Sequence, residues 1–282
     1  MSALIMGVLN VTPDSFSDGG LWRKPDVALR HAVAMAKAGA DIIDVGGEST
    51  RPGSVGISAD EELSRVIPLL ERLSRELDTL ISIDTSKPEV MRAAVDAGAG
   101  MINDVFALQS EGALEVAAQC EVPVCLMHMR GRPSDMQKSP RYESVVDEVT
   151  SFLERRAQDS LDAGIDARHI VLDPGFGFGK TLEQNLELFK AIPRLREIGY
   201  PLLIGVSRKT MLGTLTGRPV DQRMVASVVA AAMAAAQGAG ILRVHDVSET
   251  VDALKVFAAL SDVEIPANEA NKAFAAKVCR KG

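Results

Sequence analysis

The chain has 282 residues, 46% of them hydrophobic and 24% charged, with a net charge of −7. That length suits one large α/β domain with a sizeable core. The acidic balance argues against nucleic acid or an anionic membrane as the main partner, while leaving room for a local basic pocket that takes a small anion.

The N-terminus, Met1 to Gly7, has no basic run followed by a long apolar stretch, so no signal peptide is expected. The most apolar segment, 225–236, is dominated by alanine and is too short for a bilayer span, which takes roughly 20 residues. The three cysteines, Cys120, Cys125 and Cys279, form no C-x-x-C pair, and four histidines make a structural zinc site unexpected. A cytoplasmic location is the expectation.

Taken in chain order, short apolar runs alternate with amphipathic stretches. Strands are expected at 5–9, 42–45, 81–83, 101–102, 122–126, 169–172, 202–206 and 241–244. Each is short and nearly all apolar, as strands buried on both faces are. Between them, Leu63, Val66, Ile67, Leu70 and Leu73 fall at helical spacing, and so do Val145, Val149, Phe152, Leu153 and Ala157. Strands alternating with helices imply a parallel sheet, and eight such units imply a (β/α)8 TIM barrel. The expected organisation is one barrel domain over 1–262 and a polar tail over 263–282.

In this architecture the chemistry sits at the C-terminal ends of the strands. Polar residues follow each apolar run: Asn10 after the first, 46–51 after the second, Asp84 after the third and Asn103 after the fourth. His128, Asp173, Ser207 with Lys209, and Arg243 with His245 follow the rest. Residues 10–20 make a longer loop than strand-to-helix connections usually have, with side-chain oxygens that suit a Mg²⁺-bound phosphate. In 46–53, paired glycines permit close approach to a ligand, and Thr50 and Arg51 offer donors to an anion. The segment Asp173 to Thr181 invites a phosphate-loop reading, but Pro174 stands where that motif requires glycine. An acid followed by a glycine-rich loop with two aromatics suits a flat ring instead. Lys209 is compatible with a Schiff base or with donation to ligand heteroatoms. Arg243 and His245 are two apart and face the same way, as an anion clamp would.

Together these stretches resemble the dihydropteroate synthase family over nearly the whole chain. The resemblance is carried by MGVLNVTPDSFSDGG, DVGGESTRPG, ISIDTSKP, INDV, CLMHMRG, LDPGFGFGK, GVSRKT and RVHDV, in that order. It implies a reaction between a pterin pyrophosphate and p-aminobenzoate. It further implies that Asp173 takes the amino-pyrimidine edge of the pterin, and that Asn103 and Asp84 meet its other polar atoms. Lys209 would reach the ring carbonyl or N5 side, and Met127 and Phe178 would line apolar parts. Asn10 would ligate Mg²⁺, and Arg243 and His245 would hold the pyrophosphate. Thr50, Arg51 and Ser207 would shape the p-aminobenzoate site. Family members commonly carry an N-terminal hairpin under the barrel, which this chain's start leaves in doubt. The competing readings are a corrinoid-dependent pterin methyltransferase, a Schiff-base aldolase using Lys209, and a non-catalytic pterin-binding barrel. A homodimer is expected through the helix at 221–237, which is apolar nearly all round. Loops 11–20 and 47–56 are expected to order when pterin and pyrophosphate bind.

Overall fold

Strands that are apolar on both faces need cover on both, and a closed barrel wrapped in helices supplies it. The computed structural model describes residues 3–11, 24–49, 53–54, 56–131, 136, 140–260 and 269–278. Its strands are β1 (Leu4–Asn10), β2 (Ile42–Gly46), β3 (Leu80–Asp84), β4 (Met101–Asp104), β5 (Val124–Met127), β6 (Ile170–Asp173), β7 (Leu203–Ile204) and β8 (Ile241–Val244). They pair in parallel in the order β6-β5-β4-β3-β2-β1-β8-β7, and a single bridge between Leu172 and Leu202 joins the two ends. The eight-stranded barrel read from the sequence is therefore present, each strand lying where an apolar run was found. Strand β7 is shorter than its run, because pairing stops before Gly205.

The helices are α1 (Lys24–Lys37), α2 (Ala59–Glu76), α3 (Pro88–Asp96), α4 (Ala113–Cys120), α5 (Val145–Asp162), α6 (Leu182–Lys190), α7 (Ile192–Leu195), α8 (Thr210–Thr216), α9 (Met224–Ala236), α10 (Val247–Leu260) and α11 (Glu269–Val278). Local chemistry sets several starts. Ser58 and Ser144 cap α2 and α5 by accepting a bond from the third backbone N–H, and Thr181 with Gln184 forms a reciprocal capping box on α6. The α2 stripe buries Val66, Leu70 and Leu73, and the α5 stripe buries Val145, Val149, Leu153 and Ala157.

Alternation along the strands sorts residues into two layers. Ile43, Val45, Ile81, Ile83, Ile102, Leu126, Ile170, Leu172, Leu242 and Val244 face outward and pack with the helices. Leu4, Met6, Ile42, Leu80, Met101, Cys125, Val171, Leu203 and Ile241 face inward and fill the lower barrel. Phe274 of α11, within the segment read as a polar tail, is fully buried against this inner cluster. Burying one such ring contributes roughly 1.5–3 kcal/mol. The C-terminal helix thus stops the end of the barrel opposite the polar strand ends.

Candidate active site

The inward register that is apolar below becomes polar above. Across β1, β2 and β3, Val8 pairs with Asp44 and Asp44 with Ser82, and one step higher Asn10 pairs with Gly46 and Gly46 with Asp84. Asp84 then pairs with Asn103, Asn103 with Cys125, and Met127 with Asp173. On β8, Ile241 faces inward, so Arg243 does too, and Gly205 of the β7 end stands beside the Arg243 side chain. The period of two that buries apolar side chains in the lower barrel therefore carries a ring of polar ones to its mouth. Asp104, one residue out of phase, accepts bonds from the backbone N–H groups of Phe106 and Leu108 and holds the β4 loop.

Within the ring, Arg243 donates from Nε to Asp44 at 2.7 Å and from Nη2 to Asp84 at 2.8 Å. Asn103 donates to the same Asp44 oxygen at 3.0 Å. All four side chains are largely or wholly buried. Burial works against the Arg243 charge, but Asp44 and Asp84 outweigh it and hold the guanidinium firmly protonated. Burial pushes Asp84 up to about 7, aided by the neighbouring carboxylates and opposed by Arg243. Asp173 is also raised by burial, against the Gly175 N–H and the charges of Lys209 and Arg243. Its Oδ1 accepts from the Gly175 N–H at 2.7 Å. Lys209 is pushed down to about 7 by burial, while Asp173 pulls it back up. Its Nζ lies 3.8 Å from the centre of the Phe178 ring, within cation–π range.

The structure therefore brings together Asn10, Asp84, Asn103, Met127, Asp173, Phe178, Ser207, Lys209, Arg243 and His245 around one strand-end mouth. Thr50 and Arg51 lie outside the described residues, as do 12–20 and parts of 47–56. Two placements sharpen the reading. Arg243 is committed to two carboxylates deep in the barrel, whereas His245 pairs through Nδ1 with the Ser207 hydroxyl at 3.0 Å. Of the 207–209 triplet, Arg208 turns away to pair with Asp246 while Lys209 enters the pocket. Sequence reasoning missed Asp44. Its signal was a lone carboxylate inside an apolar strand, a position no charge occupies without a partner. It also missed Lys180, buried next to His128.

Among the described residues, no cluster of three His, Cys, Asp or Glu side chains could hold a metal by itself. A Cβ placed on Gly46 would lie 3.6 Å from Asn10 Oδ1 and 3.8 Å from Asp84 Oδ2, so an amide oxygen and a carboxylate oxygen flank one spot at the mouth. Asp84 Oδ2 already accepts from Arg243, so Asn10 Oδ1 is the hard oxygen at this spot of the kind that Mg²⁺ takes beside water and phosphate. No helix among the described residues is long and apolar enough to cross a membrane.

Comparison with known proteins agrees with this geometry. The family model for pterin binding enzymes matches residues 6–245. A dihydropteroate synthase of Haemophilus influenzae is 48% identical over 258 residues, covering 92% of this chain and 94% of its own. The Xanthomonas albilineans dihydropteroate synthase solved with 4-aminobenzoic acid is 52% identical with a TM-score of 0.88, covering 93% of this chain and 94% of that one. The Xanthomonas albilineans enzyme in complex with 7,8-dihydropteroate aligns at 49% identity and TM-score 0.85, covering 93% and 95%.

Proposed function

Since the chain belongs to the dihydropteroate synthase family of pterin-binding enzymes, we propose a division of labour among its site residues for that family's reaction. The reaction joins (7,8-dihydropterin-6-yl)methyl diphosphate to p-aminobenzoate and releases pyrophosphate. The observation that carries the assignment is the ring of buried Asp84, Asn103 and Asp173 with the half-buried Lys209 and Arg243 at the strand ends.

A pterin shows adjacent N–H donors on its amino-pyrimidine edge, and a fixed, buried carboxylate such as Asp173 accepts them as a pair. Asn103 and Asp84 meet the other polar atoms. With its carboxyl poised about 7, Asp84 can present either a proton or a lone pair to the ring. Lys209 donates to the carbonyl or N5 side, and Met127 and Phe178 close on the apolar faces. An analogue lacking these groups would leave buried polar side chains unpaired, which gives the pocket its selectivity.

At the reacting carbon, the exocyclic C–O bond breaks with its electron pair leaving on pyrophosphate. The electron-rich dihydropterin ring delocalises the positive charge that remains. The neutral arylamine nitrogen then forms the new C–N bond and gives up a proton to solvent. The chain's tasks are to hold the leaving group with His245 and Arg243, and to keep water from the cation. Asn10 would hold a Mg²⁺ shared with the pyrophosphate, and the ion would supply charge neutralisation to the departing oxygens. Ser207, with Thr50 and Arg51 from outside the described residues, would bind p-aminobenzoate.

The assembly is a homodimer. Met224, Val225, Val229 and Met233 of α9 are exposed, with Val225 at 69%, and Val256 and Leu260 of α10 are exposed on the helix packed beside it. Monomers rarely leave so contiguous an apolar face open to water. A second copy of this face covers it in a self-complementary interface. Cys120 and Cys125, which form no disulfide among the described residues, fit a cytoplasmic enzyme. The decisive experiment is pyrophosphate release from the pterin substrate with and without p-aminobenzoate and Mg²⁺. Release that needs both supports the assignment, and release indifferent to p-aminobenzoate sinks it.

A further inference from the structure

In sequence, the run Gly175-Phe176-Gly177-Phe178-Gly179-Lys180 invites a phosphate-loop reading that Pro174 rules out. In the fold, its lysine turns inward. Lys180 is 3% exposed. Its Nζ lies 2.8 Å from the Gly175 carbonyl, 3.2 Å from the Phe178 carbonyl, 3.4 Å from the His128 carbonyl and 3.0 Å from His128 Nδ1. Burial pushes Lys180 down to about 7 while Asp173 pulls it back up, and in either state its Nζ can donate to these carbonyls. Burial, with the charges of Lys180 and Arg130, pushes His128 down to about 2, which keeps it neutral.

We infer that Lys180 is a positioning residue that fastens the loop after β6 to the loop after β5, and so sets Asp173, Phe178 and Lys209 for the pterin ring. The inference rests on the assignment of those three residues to the pterin pocket. Its geometric basis is the closeness of the two loops. Gly175 has φ +70°, and a Cβ there would fall 1.9 Å from the His128 carbonyl oxygen. Gly179 has φ +63°, and a Cβ there would fall 2.3 Å from the Arg130 carbonyl oxygen. Only glycine tolerates both the backbone and the approach. Backbones pressed together this way leave buried carbonyls needing donors, and a buried carbonyl without one is costly. Lys180 answers carbonyls from both loops with a single group.

From those carbonyls the constraint passes directly to the pocket. The Gly175 N–H is the donor that fixes Asp173 Oδ1. The peptide oxygen of Phe178 is tied to Lys180, while the ring of Phe178 carries Lys209 Nζ. Asn185 secures the other side of the loop, accepting from the Gly177 N–H at 2.7 Å and donating to the carbonyls of Lys180 and Thr181. Positional errors of about 1 Å in such a site cost on the order of a hundredfold in rate or binding.

The test is Lys180→Met, which keeps the apolar stem and removes the donors. Binding of the pterin pyrophosphate is measured by calorimetry with Mg²⁺, KM for p-aminobenzoate at saturating pterin substrate, and folding by thermal melting. The expected result is a pterin Kd raised at least tenfold with KM for p-aminobenzoate within twofold of wild type. A pterin Kd within twofold of wild type, or equal losses for both substrates, overturns the inference even if the melting temperature falls. Should Lys180→Met give no folded protein, Lys180→Gln decides on the same two constants, with a threefold or larger rise in pterin Kd alone supporting the role and no rise overturning it. If the wild-type enzyme shows no p-aminobenzoate-dependent pyrophosphate release, the functional assignment falls instead, and that control is read separately.

Discussion

Replacing Arg243 by methionine tests the electrostatic design of the barrel mouth. The guanidinium makes two charged hydrogen bonds, at 2.7 Å to Asp44 and 2.8 Å to Asp84, and both carboxylates are buried. Removing one partner of a buried ion pair costs about 3–5 kcal/mol, because the remaining charge has neither water nor counterion. The cost should depend on pH in a defined direction. Asp84 in the folded wild type sits at about 7, against about 3.9 for an unfolded chain. An acid raised by folding gives a stabilisation fully present below the unfolded value and lost as pH rises through the folded one. In the wild type that loss is complete a little above pH 7. Arg243 lowers Asp84, so without it the loss runs on to higher pH. Over the interval where only the variant still binds this proton, the gap widens by up to about 1.4 kcal/mol per pH unit. Urea denaturation at pH 6, 7 and 8 should therefore show an Arg243→Met deficit that is about 1 kcal/mol larger at pH 8 than at pH 7, and smallest at pH 6. A deficit equal at all three pH values, or no deficit, would refute the coupling.

The other expectations follow from the same geometry. Asp173→Asn keeps the shape of the pocket but turns a double acceptor into a half donor, so calorimetry should show pterin binding weakened by about 1–3 kcal/mol; unchanged affinity removes Asp173 from the pocket. His245→Ala, which breaks the bond to Ser207, should weaken binding of the pterin pyrophosphate far more than binding of a pterin lacking the pyrophosphate, and equal losses would contradict an anion role. Val229→Asp places a charge in the exposed apolar face of α9; light scattering at micromolar concentration should show a dimer for the wild type and a monomer for the variant, and a monomeric wild type would discard the interface.

The amino-acid sequence by itself determined the architecture and which candidate residues stand at the strand ends. Eight apolar runs too short for helices, alternating with stripes at helical spacing, leave little choice but a parallel barrel. Once the barrel is assumed, chain order alone places Asn10, Asp84, Asn103, Asp173, Lys209 and Arg243 at strand ends, because chemistry collects where strands finish. What the sequence could not carry is partnership across the barrel. Arg243 and Asp44 are 199 residues apart, and only the closed ring puts them 2.7 Å from each other. The strand register, set by outward apolar residues seeking the helices, decides that Asp44 faces Arg243 while Asp104 faces the β4 loop. Lys180 stands in sequence only as part of a failed phosphate-loop match, and two loops fold over it, since burial is a property of neighbours rather than of residues. Phe274 is one aromatic in an Ala- and Lys-rich tail, and nothing in its local pattern says that a barrel floor waits for it. Local propensity and periodicity are written along the chain. The meeting of charges and the filling of a cavity exist only after distant segments have packed, so tertiary structure decided them.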